Sequence, residues 1–200
     1  KNIKEEFSSL QFYEYIDIEK DYLQSNLYEL DKKYWIEKMS TYDSHFSILS
    51  QDNQKKQLST SNRFEKTLKS ELFEQAKLYC SLNKINLIQL MYTACLISLT
   101  QYNDDISPTM GLPVANRDSL EQFNSLGLYM NTIVLNTFIQ KDDSLKDILF
   151  KCKQTWSEGL IHQSFPFKSL VEQINPERQV NSSPLYDIIF SSENTSTNNE

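Results

Sequence analysis

Two hundred residues with 39% hydrophobic and 12% aromatic side chains can bury a self-supporting core, which sets the chain apart from disordered sequences. A formal net charge of -7 argues against nucleic acid as the main partner, since phosphates need a basic face. No apolar run reaches the roughly 20 residues of a membrane span, because the greasiest stretch, Leu87–Leu99, is broken by Gln89, Tyr92, Thr93 and Ser98.

The charged N-terminus, Lys1 to Glu6, has no apolar signal region and no initiator Met, which suits a segment of a longer cytoplasmic polypeptide. Cys80, Cys95 and Cys152 are odd in number and form no C-x-x-C pair, so neither a disulfide framework nor a zinc site is expected.

In chain order, a first helix is predicted over about Tyr13–Leu23. A second covers about Tyr28–Met39, with Leu27, Leu30 and Tyr34 near one face. Residues 41–62 are rich in Ser, Asn, Gln and Lys and read as a long surface connection. Arg63–Leu68 alternates apolar and polar residues as a strand does. Ser70 caps a helix to about Leu82, with Leu72, Ala76, Tyr79 and Cys80 on one side. The following helix carries Leu87, Leu90, Met91, Ala94, Cys95 and Ser98 at helical spacing, and Ile88, Leu96 and Leu99 make its other side apolar too.

Ile106–Val114 reads as a strand with an edge or bulge at Pro108, and Tyr129–Ile139 as a long strand dense in β-branched residues. Ser144 opens a helix whose buried stripe is Leu145, Ile148, Leu149, Cys152, Trp156 and Leu160. Pro166 begins a short helix, Phe167–Ile174, and Leu185–Ser191 is a last strand before a frayed tail from Ser192. The sum is an α/β (α+β) chain, a mixed sheet with helices packed on it.

Neither histidine sits in a His-x-x-x-Asp pattern. His45 lies in the polar connection, and His162 ends a helix, where capping is the stronger reading than general-base work. Three glycines leave no material for a phosphate loop or nucleophile elbow. Asp104-Asp105 reads as a turn and Asp142-Asp143 as negative charge before a helix. No catalytic residue and no metal ligand set is assigned.

Three ordered motifs remain. In Gly111-Leu-Pro-Val-Ala-Asn-Arg117 a strand runs into an Asn116-Arg117 turn, where Asn tolerates the left-handed region and Arg can fork to carbonyls or a carboxylate. An architectural clasp is favoured there over ligand contact. In Leu126-Gly-Leu-Tyr-Met-Asn-Thr132, strand alternation puts Asn131 on the face of Tyr129, Ile133 and Leu135, so its amide lines a channel or holds a neighbouring loop. In His162-Gln-Ser-Phe-Pro-Phe167 the proline fixes a turn and both rings bury.

These motifs, with Asn175-Pro-Glu-Arg178 and Asn181-Ser-Ser-Pro-Leu185, resemble the later motifs of nonribosomal peptide synthetase condensation domains. Phe12–Glu19 and Tyr34-Trp35 resemble earlier segments of the same family. The resemblance implies one half of a chloramphenicol-acetyltransferase-like pseudodimer: residues 1–62 a helical crossover, 63–194 the C-terminal condensation subdomain, and 195–200 a disordered tail. It also implies that Asn116, Arg117, Asn131, Thr132, His162, Gln163 and Arg178 belong to the substrate tunnel or its motifs. In this family an acceptor amine attacks a donor thioester, both carried on phosphopantetheine arms of carrier proteins, with no cofactor bound directly. The implied partners are the N-terminal half of the domain and adjacent adenylation and peptidyl-carrier domains. The family's His-His-x-x-x-Asp-Gly is absent here, so the chain is expected to be inactive alone.

Ser164, Lys168 and Gln179 stand where the family has Asp, Glu and Asp, and Asn136 where Arg is common. A rival, a homo-oligomeric acyltransferase, needs a His-x-x-x-Asp that the chain lacks. A second, a degenerate module that only docks carrier proteins, is left open.

Overall fold

A computed structural model describes residues 10–40, 62–102, 108–176, 183–186 and 188–193. Two helices come first, α1 (Phe12–Leu23) and α2 (Asn26–Met39). The Ser25 hydroxyl accepts the Tyr28 amide, so α2 starts two residues before the expected Tyr28. Its buried stripe is Asp31, Trp35 and Met39, while Leu27 and Leu30 are exposed. The expected face was displaced by one residue, about 100° of helix rotation, because the large Trp35 and Met39 dock on the core.

Arg63–Leu68, expected as a strand, is irregular and exposed, with Phe64 89% accessible. Alternation makes a strand only where another strand supplies hydrogen bonds, and none pairs with this segment among the described residues. In α3 (Ser70–Asn83), Lys69 is the N-cap and Ser70 the first helical residue, and Lys84 in the left-handed region ends it. Cys80 is buried and Ala76 and Tyr79 are half-buried, whereas Leu72 faces solvent.

The next helix, α4 (Leu87–Tyr102), buries Tyr92, Thr93, Leu96 and Thr100 and leaves Met91, Ala94 and Ser98 outside. A helix apolar nearly all round does not name its inner face; its partners do. Here the Tyr92 ring lies edge-on to Trp156 and Phe190, and its hydroxyl shares a 3.1 Å hydrogen bond with Thr137.

The sheet has the order β2-β1-β3, from β1 (Thr109–Val114), β2 (Asn131–Asn136) and β3 (Ile188–Ile189). β1 and β2 are antiparallel, with Thr109 opposite Asn136 and Val114 opposite Asn131; β3 runs parallel to β1 at Met110 and Gly111. Pro108 precedes β1, and Pro113 lies beyond the short β3 pairing, where a missing amide costs no bond on that side. The strands are shorter than the expected Ile106–Val114, Tyr129–Ile139 and Leu185–Ser191. The first of those ranges begins, and the last includes Asp187, outside the described residues. A four-residue helix, α5 (Leu120–Phe123), fills part of the β1–β2 connection, where Ser119 accepts the Gln122 amide.

Helix α6 (Leu145–Ile161) begins at a reciprocal Ser144–Asp147 cap and packs on β2. A Cβ built on Gly159 would lie 3.1 Å from both Ile133 and Leu135, so the glycine permits the close approach. Leu145 and Leu160 sit at the rim of α6 instead of in its buried stripe, which is Ile148, Leu149, Cys152, Thr155, Trp156 and Gly159. Pro166 precedes α7 (Phe167–Ile174) as expected. Trp35, Met39, Leu96, Met110, Leu135, Trp156 and Leu170 share one core. No described helix is long and apolar enough to cross a membrane.

Candidate functional site

The motif residues converge at one end of the sheet, where β1 ends, β2 begins and α6 turns into α7. At the start of β2 the Asn131 amide nitrogen donates to the carbonyls of Gln163 and Phe165, each at 2.7 Å, and its oxygen accepts the Phe167 amide at 3.2 Å. One side chain thus satisfies three backbone groups of the 162–167 turn, which no helix or strand could pair.

Asn116, just past β1, has φ 50, the left-handed conformation expected for it. Its amide reaches the Tyr15 hydroxyl at 3.4 Å, and the Ser164 hydroxyl donates to its oxygen at 3.4 Å. Burial, then the Glu19 carboxylate, raises the Tyr15 phenol above its ordinary value. The Gln163 amide donates to Asp118 at 3.2 Å. Arg117 donates to the carbonyls of Gln122, Ser125 and Gly127, and its guanidinium lies 4.0 Å from the Tyr129 ring centre. Tyr129 also packs against Tyr15 and Phe12 and pairs with the Ser125 hydroxyl. Gly127 is required there because an added Cβ would collide with the Phe12 ring. Thr132 is half-buried opposite Pro113.

His162 caps the C-terminus of α6. Its Nδ1 shares a 2.7 Å hydrogen bond with the Asp31 carboxylate, its ring stacks on Tyr34 with centres 3.9 Å apart, and its carbonyl accepts the Trp35 indole at 2.9 Å. The second Asp31 oxygen accepts the Tyr22 hydroxyl at 2.7 Å. Burial, followed by that hydrogen bond, pushes the Tyr22 phenol far above its ordinary value. Asp31 is the site residue that sequence reasoning missed. The available signal was a carboxylate four residues before Trp35, on the helix face that Trp35 buries.

Arg178, His45, Asp104, Asp105 and Gln179 lie outside the described residues. Asn136 sits at the far end of β2 from Asn131 and lines a surface cavity of about 380 Å³ with Lys38, Lys151 and Gln154. Ser164 and Asn136, two of the family departures, are therefore at opposite ends of a strand and are not partners in this chain. Lys38 and Lys151 are themselves paired, with Glu158 at 3.3 Å and Asp143 at 2.6 Å. The Lys151 hydrogen bond holds Asp143 below the usual carboxylate range. Among the described residues no three His, Cys, Asp or Glu side chains are grouped to hold a metal.

The family model described as Condensation domain matches residues 2–200. Gramicidin S synthase 2 of Brevibacillus brevis is 25% identical over 175 residues, 86% of this chain and 4% of that protein. Bacitracin synthase 3 of Bacillus licheniformis is 24% identical over 186 residues, 91% of this chain and 3% of the relative. The chain thus spans a small part of these curated relatives. Among solved structures, VibH, an NRPS condensation enzyme, superposes with a TM-score of 0.67 at 22% identity, over 83% of this chain and 38% of VibH. The condensation domain of the Monacolin K polyketide synthase MokA gives 0.72 at 16% identity, over 90% and 45%. These likenesses bear out the expected chloramphenicol-acetyltransferase-like fold.

Proposed function

The chain belongs to the condensation-domain family of nonribosomal peptide synthetases, and on that premise we propose that it is the C-terminal part of an amide-forming domain. It forms the wall and acceptor side of a tunnel into which two carrier-bound thioesters reach. The acceptor amine attacks the donor thioester carbonyl, the new C–N bond forms, the C–S bond breaks, and the amine proton leaves with the freed phosphopantetheine thiol. The missing partner is the N-terminal half with its His-His-x-x-x-Asp-Gly; adenylation and peptidyl-carrier domains stand alongside, in the cytoplasm.

The observation that carries this reading is that Asn131 at the head of β2 and Asn116 just past β1 both bond the 162–167 turn, which holds His162 and Gln163. Residues far apart in sequence thus meet at the turn that carries the family motif. Proximity supplies much of the acceleration in such a reaction, so a half without a base can still be necessary to it.

The test is reconstitution of the parent module with its carrier domains loaded with donor and acceptor. Amide product that disappears when the upstream histidine motif is replaced by alanines supports the reading. Carrier binding without amide formation refutes it in favour of the docking-only module.

A further inference from the structure

We propose that Asp31 is a positioning residue for amide formation, acting through His162 on the turn that holds Asn131. The proposal rests on the reading of the chain as part of an amide-forming domain. Asp31 is 1% exposed on the core-facing stripe of α2, between Tyr28 and Trp35. Burying a carboxylate there is costly, and an apolar residue of similar size would serve packing as well or better. The arrangement of its partners shows what the carboxylate adds.

Both oxygens have a hydrogen-bond partner at 2.7 Å, the Tyr22 hydroxyl donating to one and His162 Nδ1 on the other. With Asp31 ionised its carboxylate only accepts, which puts the imidazole proton on Nδ1 and fixes the ring plane. Tyr34 closes one face of that ring by stacking, and Trp35 grips the backbone of the same residue through its carbonyl. That carbonyl also accepts the Phe165 amide at 3.3 Å, which folds the turn. Asp31, Tyr34 and Trp35, all on α2, therefore hold His162 by ring edge, ring face and main chain.

His162 opens the turn whose Gln163 and Phe165 carbonyls receive the Asn131 amide and whose Phe167 amide is received by it. The path from Asp31 to Asn131 is a continuous run of hydrogen bonds with one short turn between. A rotated imidazole moves the start of that turn, and with it the amide at the head of β2. Nothing in this path requires Asp31 to touch substrate.

The experiment has two arms. In the reconstituted module, Asp31→Leu removes the acceptor while retaining apolar packing, and Asp31→Asn retains one acceptor oxygen for Nδ1. Misplacement of about 1 Å can cost about a hundredfold in rate. The expected result is a kcat lowered about 10- to 100-fold by Asp31→Leu, with KM for the acceptor carrier unchanged and kcat largely rescued in Asp31→Asn. In the 200-residue chain, whose histidines are His45 and His162, nitrogen-15 imidazole spectra read the tautomer. They should show Nδ1–H at His162 in the native chain and in Asp31→Asn, and loss of that form in Asp31→Leu. Native kcat in Asp31→Leu, an equal loss in both variants, or an Nε2–H tautomer in the native chain overturns the proposal. A native module that forms no amide refutes the parent reading instead, and the tautomer arm still decides whether Asp31 sets the ring.

Discussion

Replacing Asn131 by Asp should destabilise the chain more than replacing it by Ala, although Asp has almost the same shape. Asn131 makes three hydrogen bonds to the backbone of the 162–167 turn: two donated at 2.7 Å and one accepted at 3.2 Å. At about 1 kcal/mol net for each bond, Asn131→Ala removes about 3 kcal/mol. The site is half-buried, so water re-pairs part of what is lost and about 2 kcal/mol remains. Asn131→Asp keeps the acceptor toward Phe167 but turns a donor into an oxygen facing the Gln163 and Phe165 carbonyls. Two bonds become two repulsions, and the expected loss is about 3–5 kcal/mol at pH 7. The introduced carboxylate regains a donor by taking up a proton, so its pKa in the folded state is raised above about 3.9, its unfolded value. The native state then binds more protons than the unfolded one, and stability falls as pH rises through the folded pKa. Relative to Asn131→Ala, the Asp variant should recover between pH 7 and about pH 4.5. Urea unfolding monitored by tryptophan fluorescence at both pH values reads this directly. An Asp variant as stable as the Ala variant at pH 7 would show that the amide nitrogen's two contacts contribute nothing.

Arg117→Lys should loosen the segment between β1 and β2, because one ammonium cannot fork to the Gln122, Ser125 and Gly127 carbonyls and stack on Tyr129. The expected loss is about 1–3 kcal/mol, with faster limited proteolysis within 117–130 as its local signature. Gly159→Leu should force α6 off β2, since even a Cβ there meets Ile133 and Leu135 at 3.1 Å; thermal unfolding should show about 1–3 kcal/mol of overpacking. Cys152 has its thiol pushed up to about 11 by burial, so it should resist iodoacetamide at pH 8.5 in the native chain and react once unfolded. The sign follows: the unfolded thiol ionises first, at about 8.5, so this contribution to stability is complete below that pH and is lost toward pH 11.

Features decided by near neighbours were legible in the sequence. The proline before α7, the left-handed Asn116 and the Ser144 cap each follow from the chemistry of a few adjacent residues. The inner faces of α2 and α4 were not, for one physical reason. α2 carries leucines beside the face that Trp35 selects, and α4 is apolar on nearly every side, so the docking surface decides, and it is assembled from distant sequence. Arg63–Leu68 shows the same limit for strands, since its alternation describes a surface and the described structure supplies no partner for it. The Asp31–His162 contact joins residues 131 apart. A carboxylate within a helix reads as solvated until the helix face is known, and that face was displaced by one residue.

That hidden contact bears on how the proposed half-domain takes part in catalysis. An amine attacking a thioester needs the two groups held in line, and well-oriented reactants reach effective molarities of about 10⁵–10⁸ M. Such gains require donors and acceptors that do not wander. At the head of β2 the polar side chains hold the chain's own backbone: Asn131 the turn, Arg117 three carbonyls, Trp35 the His162 carbonyl. Groups occupied in this way are poor proton carriers and good supports. On the proposed reading the active centre is therefore divided by role, with proton transfer assigned to the half that bears the histidine motif and rigidity to this one. On that same reading, the described motif residues contribute to amide formation through the positions they hold and not through proton transfer.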